Sequence, residues 1–559
     1  MFKQQQTKKR KAGIGCFFAL FLIITGGWLF SSSLRIKPPV VSDTNQLVKK
    51  EVTISITGER IFNGCRLRQS DSGIWEMYLE GNAFERGIAA GKLGKDLLKY
   101  QEDVFIGQIK NLVPSGFYLN FLRIFTGIFN QNLAKNIPDE IKEEIYGISL
   151  SCTDEYNYIG SPYERMLNYH AAHDLGHALQ DYRLVGCTSF AAWNESTEDS
   201  CLLIGRNFDF YAGDDFAKNK IVVFCAPETG YKFVSVSWAG MTGVLSGMNE
   251  KGLTVTINAA KSSVPTSSAT PVSILCREIL QYASTLEEAK KIASGRKLFV
   301  SESILIGSAI DNSAVIVEKS PEKEGVFKSS ANWLSCANHF QSEVFQNDKR
   351  NIENIRTSDS RYRQQRMDEL ILRNLPLNQE KAAEILRNKE GLSDANIGLG
   401  NEKSINQLIA HHSVIFKPQL RQIWVSTSPW QLGEYVCYDL NKIFSAPDFS
   451  SEIKTCFLTI SPDTFLKTPR YFDFIFFREY RHRLKTAINK KEIVDEIELN
   501  RFINSNPELY LVYDLTGDYY YSQKQTGKAL EYWKIALGKE VPTFSEKENI
   551  ERKLKQPSQ

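Results

Sequence analysis

The chain has 559 residues, 42% hydrophobic and 24% charged, with a formal net charge of +3 and ten cysteines. That length suits a large catalytic core with appendages, and the composition is that of a globular protein. The charge is near neutral with no basic stripe among aromatics, which argues against nucleic acid as a partner. Ten scattered cysteines without a CxxC pair argue against a disulfide scaffold or a zinc ribbon.

Residues 1–13 (MFKQQQTKKRKAG) form a basic tail ahead of an uncharged run over 14–33 (IGCFFALFLIITGGWLFSSS). About 20 apolar residues span a bilayer as a helix. The positive-inside bias then predicts a single-pass signal anchor, with the N-terminus cytoplasmic and the remainder extracytoplasmic. A cleaved secretion signal is the alternative. Either way some cysteines could pair in that compartment. Residues 34–60 read as a stalk containing Pro38-Pro39.

The segment 61–186 reads as mostly helical. A short strand at Trp75 turns at Gly81-Asn82 into a helix, where Gly87, Ala90 and Gly91 allow close helix packing. In DEIKEEIYGISL, Ile141, Ile145 and Ile148 share a face. The stretch YHAAHDLGHALQ (169–180) holds His170, His173 and His177, three of seven histidines, and the i, i+4 spacing suits metal ligation. No HExxH glutamate accompanies them, so the expectation is a polar helix beside the nucleophile. A metal-dependent hydrolase is kept as an alternative.

Next comes LVGCTSFAAW, residues 184–193. A core cysteine needs neither the preceding glycine nor the following hydroxyls. A nucleophile released by cutting Gly186-Cys187 would use both: its α-amine, with an ordinary pKa of about 7.7–8.0, is poised for proton transfer at neutral pH. Glycine leaves the carbonyl unshielded and tolerates strained geometry. Twenty residues on, GRNFDF places Arg206 and Asp209 at the end of the next strand. In a hairpin they can return to Cys187, Asp209 orienting the new ammonium and Arg206 balancing charge.

After Gly186 the pattern is β-rich: LLIGRNF, KIVVFCA, YKFVSVSW, GLTVTIN, SESILIG and NSAVIVEK read as strands, as do SVIFKPQ, RQIWVSTS and GEYVCYDL. Two helices interrupt them, PVSILCREILQYA and STLEEAKKIA, the second opening on a capping box at Ser284 and Glu287. Short strands with blocks of helix predict an α+β fold with antiparallel sheets. The tail is helical. Over 511–537, Gly517, Tyr520, Ala529, Tyr532 and Ala536 resemble one tetratricopeptide repeat, which must pack on the core or a protein partner.

GCTSF, GRNFDF, WAGMTGVLSGMNEKGLTVTIN, LSCANHF and SDSRYR, in that order, resemble the N-terminal-nucleophile (Ntn) hydrolases of the choloylglycine hydrolase superfamily, across roughly residues 75 to 440. The resemblance is greatest to the autoproteolytic acyl-CoA:6-aminopenicillanic acid acyltransferase branch. It implies a four-layer αββα core over 187–465, a helical tail over 466–559, and a nucleophile at Cys187 with Arg206 and Asp209 beside it. It also implies an oxyanion-hole amide at Asn258, with Asn249 structural, a supporting amide at Asn338, and a late arginine at Arg361, with Arg363 the less favoured choice. No cofactor or metal is implied. The 186 residues before the nucleophile imply internal cleavage at Gly186/Cys187, with fragments 1–186 and 187–559 staying associated. The expected reaction is amide hydrolysis or acyl transfer through an acyl-cysteine, on a small or lipid-like N-acyl substrate or a thioester. The other alternative is a non-catalytic, membrane-anchored interaction protein.

Overall fold

The computed structural model describes residues 36–41, 45–112, 130, 133–178 (backbone only over 172–178), 186–211, 213–263, 268–445 and 453–555. The apolar run over 14–33 lies outside them. Among the described residues no helix is long and apolar enough to cross a membrane.

Two sheets form the centre. In spatial order, the larger comprises β1 (Thr53–Ile54), β2 (Arg60–Phe62), β3 (Cys65–Gln69), β4 (Trp75–Gly81), β7 (Ile221–Pro227), β8 (Phe233–Ser237), β9 (Ser246–Asn249), β10 (Leu253–Ala259), β11 (Glu302–Ser308), β12 (Ser313–Lys319) and β13 (Glu324–Phe327). The smaller runs β14 (Trp333–Cys336), β5 (Thr188–Ala192), β6 (Leu203–Phe208), β15 (His412–Lys417), β16 (Gln422–Ser426) and β17 (Tyr435–Asp439). Pairing is antiparallel with one exception. β4 lies parallel to β7 from Trp75↔Ile221 to Gly81↔Pro227. The segment before Cys187 is therefore not only helical: it supplies four strands of the larger sheet, and this ladder ties it to the chain beyond the nucleophile.

Alternation of side chains builds the layers. Val222, Phe224, Leu305 and Ile316 of the larger sheet meet Ala191, Ile204, Val414 and Val425 of the smaller one between the sheets. Outside the larger sheet, Val255 and Ile257 pack on Leu275, Ile279 and Ala289 of helices Val272–Tyr282 and Leu286–Ser294. Outside the smaller, Phe190 and Leu203 pack on Met367, Ile371 and Ala383 of helices Ser360–Asn374 and Gln379–Leu386. This is the helix–sheet–sheet–helix order expected of the resemblance.

Local expectations meet two outcomes. Helix Ala83–Leu93 presses against Asp139–Ser149 so closely that a Cβ on Gly87 would lie 2.1 Å from the Glu144 carbonyl. The capping box is one residue later than expected: Thr285 caps Glu288, because Glu287 turns to the Lys290 ammonium instead. Cys65, Cys152, Cys187, Cys201, Cys225, Cys276, Cys336 and Cys437 are free thiols, where the sequence left pairing possible. In the tail, helices Tyr510–Ser522 and Thr526–Leu537 meet where Gly517 faces the Trp533 indole. Their apolar face shares one cluster with Leu399, Leu408 and Leu432 of the core, so the repeat-like pair packs on its own chain.

Candidate active site

Strand β5 sorts the residues of the opening motif onto two faces. Ala191 points between the sheets, and by alternation Ser189 and Cys187 share its side, Cys187 joining the cluster of Val255 and Ile257; Phe190 and Ala192 point to the outer helices, with Thr188 on their side. The β5–β6 register puts Ser189 opposite Arg206 and Thr188 opposite Asn207. The Gly186 amide extends this ladder by donating to the Asp209 carbonyl at 2.9 Å. The hairpin thus returns Arg206 and Asp209 to Cys187.

Arg206 is fully buried. Its guanidinium donates to the Cys187 sulfur at 3.7 Å, to the Leu245 carbonyl at 2.8 Å, and to Ser246 Oγ and the Ile257 carbonyl. Burial pushes the Cys187 thiol up to about 11, the Arg206 charge opposing and Asp209 adding to the rise. Asp209 is also fully buried, and neither carboxylate oxygen has a hydrogen-bond partner. Burial pushes it up to about 7, although Arg363 and Arg206 both pull it down. Such a carboxyl changes protonation at neutral pH, a property that clusters at functional sites.

The two asparagines brace this centre from β10 and the turn after β14. Asn258 accepts from the Ser189 hydroxyl at 3.0 Å and donates to the Cys336 carbonyl at 3.2 Å. Asn338 donates to the Ala259 carbonyl at 2.9 Å and accepts from Arg363 at 2.8 Å. Asn249 instead closes the β9–β10 turn, accepting from the amides of Lys251 and Leu253.

The late arginine needs correction. Arg361 is exposed and donates only to Gln364 Oε1, whereas Arg363 is buried. Arg363 Nη1 reaches the Gly186 carbonyl at 3.1 Å, the Cys187 carbonyl at 2.9 Å and Thr188 Oγ1 at 3.0 Å. Residues two apart on a helix face nearly opposite sides, so only one can point inward. The sequence reading also missed Gln407, whose Nε2 donates to the same Gly186 carbonyl at 3.0 Å. It missed His412 as well, whose ring contacts Ser246 Oγ at 2.8 Å and His411 at 2.9 Å. Nothing in the string NQL or AHH marks either.

The histidine cluster offers no open ligand at His170. One ring nitrogen is satisfied by the Met166 carbonyl at 2.7 Å, the other by the Thr242 amide at 2.9 Å and hydroxyl at 2.8 Å. A metal ligand needs a free nitrogen, so His170 does not serve the metal alternative. The side chains of His173 and His177 lie outside the described residues, among which no metal-binding group occurs. Toward the helical side, Phe210, Phe216, Trp238 and Met241 belong to the same apolar cluster as Cys187. They line a cavity of about 40 Å³ with Phe105, Tyr169 and others.

Residues 196–428 match the family model described as acyl-coenzyme A:6-aminopenicillanic acid acyl-transferase, which bears out the resemblance carried by the motifs. Over that stretch the chain is similar to this acyl-transferase family. An uncharacterized protein of Archaeoglobus fulgidus is 26% identical over 271 residues, 46% of this chain and 45% of its own length. Protein dcd1B of Dictyostelium discoideum is 25% identical over 271 residues, 45% of this chain and 51% of its own. The chain thus spans about half the length of these curated relatives. Among solved structures, a Caenorhabditis elegans N-acylethanolamine-hydrolyzing acid amidase ortholog is 18% identical with a TM-score of 0.31, over 42% of this chain and 94% of that one. A mutant conjugated bile acid hydrolase from Clostridium perfringens is 14% identical with a TM-score of 0.32, over 46% and 93%.

Proposed function

We propose that the chain cuts its own Gly186-Cys187 bond and then acts as a cysteine amidohydrolase or acyltransferase on the acyl carbon of an N-acyl amide or thioester. The observation that carries this reading is Asp209, a buried carboxylate beside Cys187 with both oxygens unpartnered. A buried carboxylate without partners is costly, and an ammonium at residue 187 would pair with it. In this account the liberated α-amine takes the thiol proton and the sulfur attacks the substrate carbonyl. Asp209 holds the resulting ammonium and Arg206 steadies the thiolate. Asn258, Asn338 and Arg363 complete the polar shell, and water or an amine accepts the acyl group. Arg361 has no part.

The aromatic cavity, whose Phe210, Phe216, Trp238 and Met241 share an apolar cluster with Cys187, is a candidate for the apolar end of an acyl group. The run over 14–33 would anchor the enzyme, placing catalysis outside the cytoplasm, where acyl-CoA is scarce; this favours hydrolysis of lipid-like amides. Fragments 1–186 and 187–559 would stay joined through the β4–β7 ladder and the buried Glu144–Arg277 ion pair.

The test is the N-terminal sequence of the mature large fragment. It should begin Cys-Thr-Ser-Phe, and Cys187→Ala should leave a single full-length band without turnover. A wild-type chain that stays intact yet turns over substrate would sink the proposal.

A further inference from the structure

The Gly186 carbonyl is the atom on which self-cleavage would act, and it is not solvated. Arg363 Nη1 and Gln407 Nε2 both donate to it, at 3.1 and 3.0 Å. Arg363 is the less favoured of two arginines in the SRYR motif; Gln407 answers to no motif. Its position is nonetheless built with care. Gln407 is buried, and a Cβ on residue 186 would lie 2.5 Å from its Nε2, so glycine there is what lets the amide reach the carbonyl. The next residue, Leu408, is fully buried with φ +56, a left-handed conformation that a leucine keeps only where its surroundings impose it.

Those surroundings can be named. Asn406 Oδ1 accepts from the Leu408 amide at 2.9 Å, and Ser404 Oγ ties back to the carbonyls of Asn401 and Asn406. The C-terminal helices hold the far end of the loop. Asn506 brackets Leu399 with an acceptor at 3.0 Å and a donor at 2.8 Å, and Leu408 itself packs in their apolar cluster.

From this geometry we infer that Gln407 is a catalytic residue of self-cleavage, one of two donors of an oxyanion hole for the Gly186 carbonyl, on a loop held in place by the C-terminal helices. The inference rests on cleavage at Gly186-Cys187. The Cys187 sulfur attacks the Gly186 carbonyl carbon, forming a C–S bond. The carbonyl oxygen takes the negative charge, which Gln407 and Arg363 stabilise. The C–N bond then breaks, the leaving nitrogen takes the thiol proton, and a thioester remains. Water hydrolyses it to the Gly186 carboxylate and a free Cys187 thiol bearing an α-amine.

The full-length chain is expressed as wild type, Gln407→Met and Gln407→Glu, and precursor loss is followed with and without hydroxylamine, which consumes thioester. Removing one oxyanion-hole donor slows a reaction about 10²–10³-fold. Both variants should therefore accumulate precursor that melts like the Cys187→Ala chain, and hydroxylamine should not restore the rate, because the block precedes the thioester. Wild-type cleavage rates in either folded variant, or full rescue by hydroxylamine, overturn the assignment while leaving cleavage at Cys187 intact. Absence of a new end at Cys187 in the wild type overturns both.

Discussion

Two buried acids in this molecule meet opposite fates. Glu144, on the helix Asp139–Ser149, receives Arg86 at 2.8 Å and Arg277 at 3.2 Å. Burial pushes its carboxyl up, but the two guanidiniums outweigh burial and hold it below the ordinary range. Asp209 is as deeply buried and also has two arginines nearby, yet neither donates to it: the Nη groups of Arg206 go to Cys187, Ser246 and carbonyls, those of Arg363 to Gly186, Cys187 and Asn338, and the Nε of each is itself without a partner. One network is closed and locks three helices together. The other is left open, its two carboxylate oxygens unpartnered. A closed network serves packing, whereas an open one that survives in a close-packed interior implies a partner yet to come.

Replacing the open acid should have the largest effect. Asp209→Asn, which removes the group that orients the α-ammonium, should slow substrate turnover by about 10²–10⁴-fold, the range for losing a positioned acid–base group, measured per cleaved chain. Its stability effect has a definite sign. The groups facing it are Cys187, Arg206 of β6, and Arg363 with Asp359 at the start of the outer helix. With a folded value of about 7, above the ordinary 3.8, the native state keeps a proton that the unfolded chain has released. Stability of the uncleaved chain should therefore fall as pH rises from about 4 to about 7 and level off above. In a Cys187→Ala background, Asp209→Asn should remove much of that fall, on the order of a few kcal/mol by urea unfolding. An unchanged pH profile would mean that Asp209 already has a counter-ion.

The closed acid should behave in the reverse way. Glu144→Gln leaves two buried guanidiniums undercompensated and should cost about 3–5 kcal/mol in urea unfolding. Precursor that does fold should still cleave at the wild-type rate. A cleavage defect without a stability loss would erase the contrast between the two networks.

What the sequence disclosed follows the same division. Strand alternation and turn residues marked most of the sandwich, and the hairpin from Cys187 to Asp209 was legible because its members are close in sequence. The early strands over 60–69 were not: they are short, and their place depends on pairing β4 alongside β7, which lies 140 residues further on. Gln407 and His412 were illegible for a related reason. They come from distant loop and strand positions, and single polar residues carry no periodicity to read.

Arg361 and Arg363 give the smallest predicted effect and the sharpest control. In SRYR both are arginines, and sequence offers no ground for choosing between them except the phase of the helix. That phase is set by which face meets β5: Met367 and Ile371, four and eight residues after Arg363, pack on Phe190. At 3.6 residues per turn these three share a stripe, and Arg361 falls off it. Arg361→Ala should therefore change stability by less than about 0.5 kcal/mol and leave cleavage untouched. Arg363→Ala, removing a charged donor from the carbonyls of Gly186 and Cys187, should leave precursor uncut. If the two substitutions exchange these outcomes, the helix is rotated by half a turn from the one described. Thr188 and Asn338 would then lose the guanidinium that joins them.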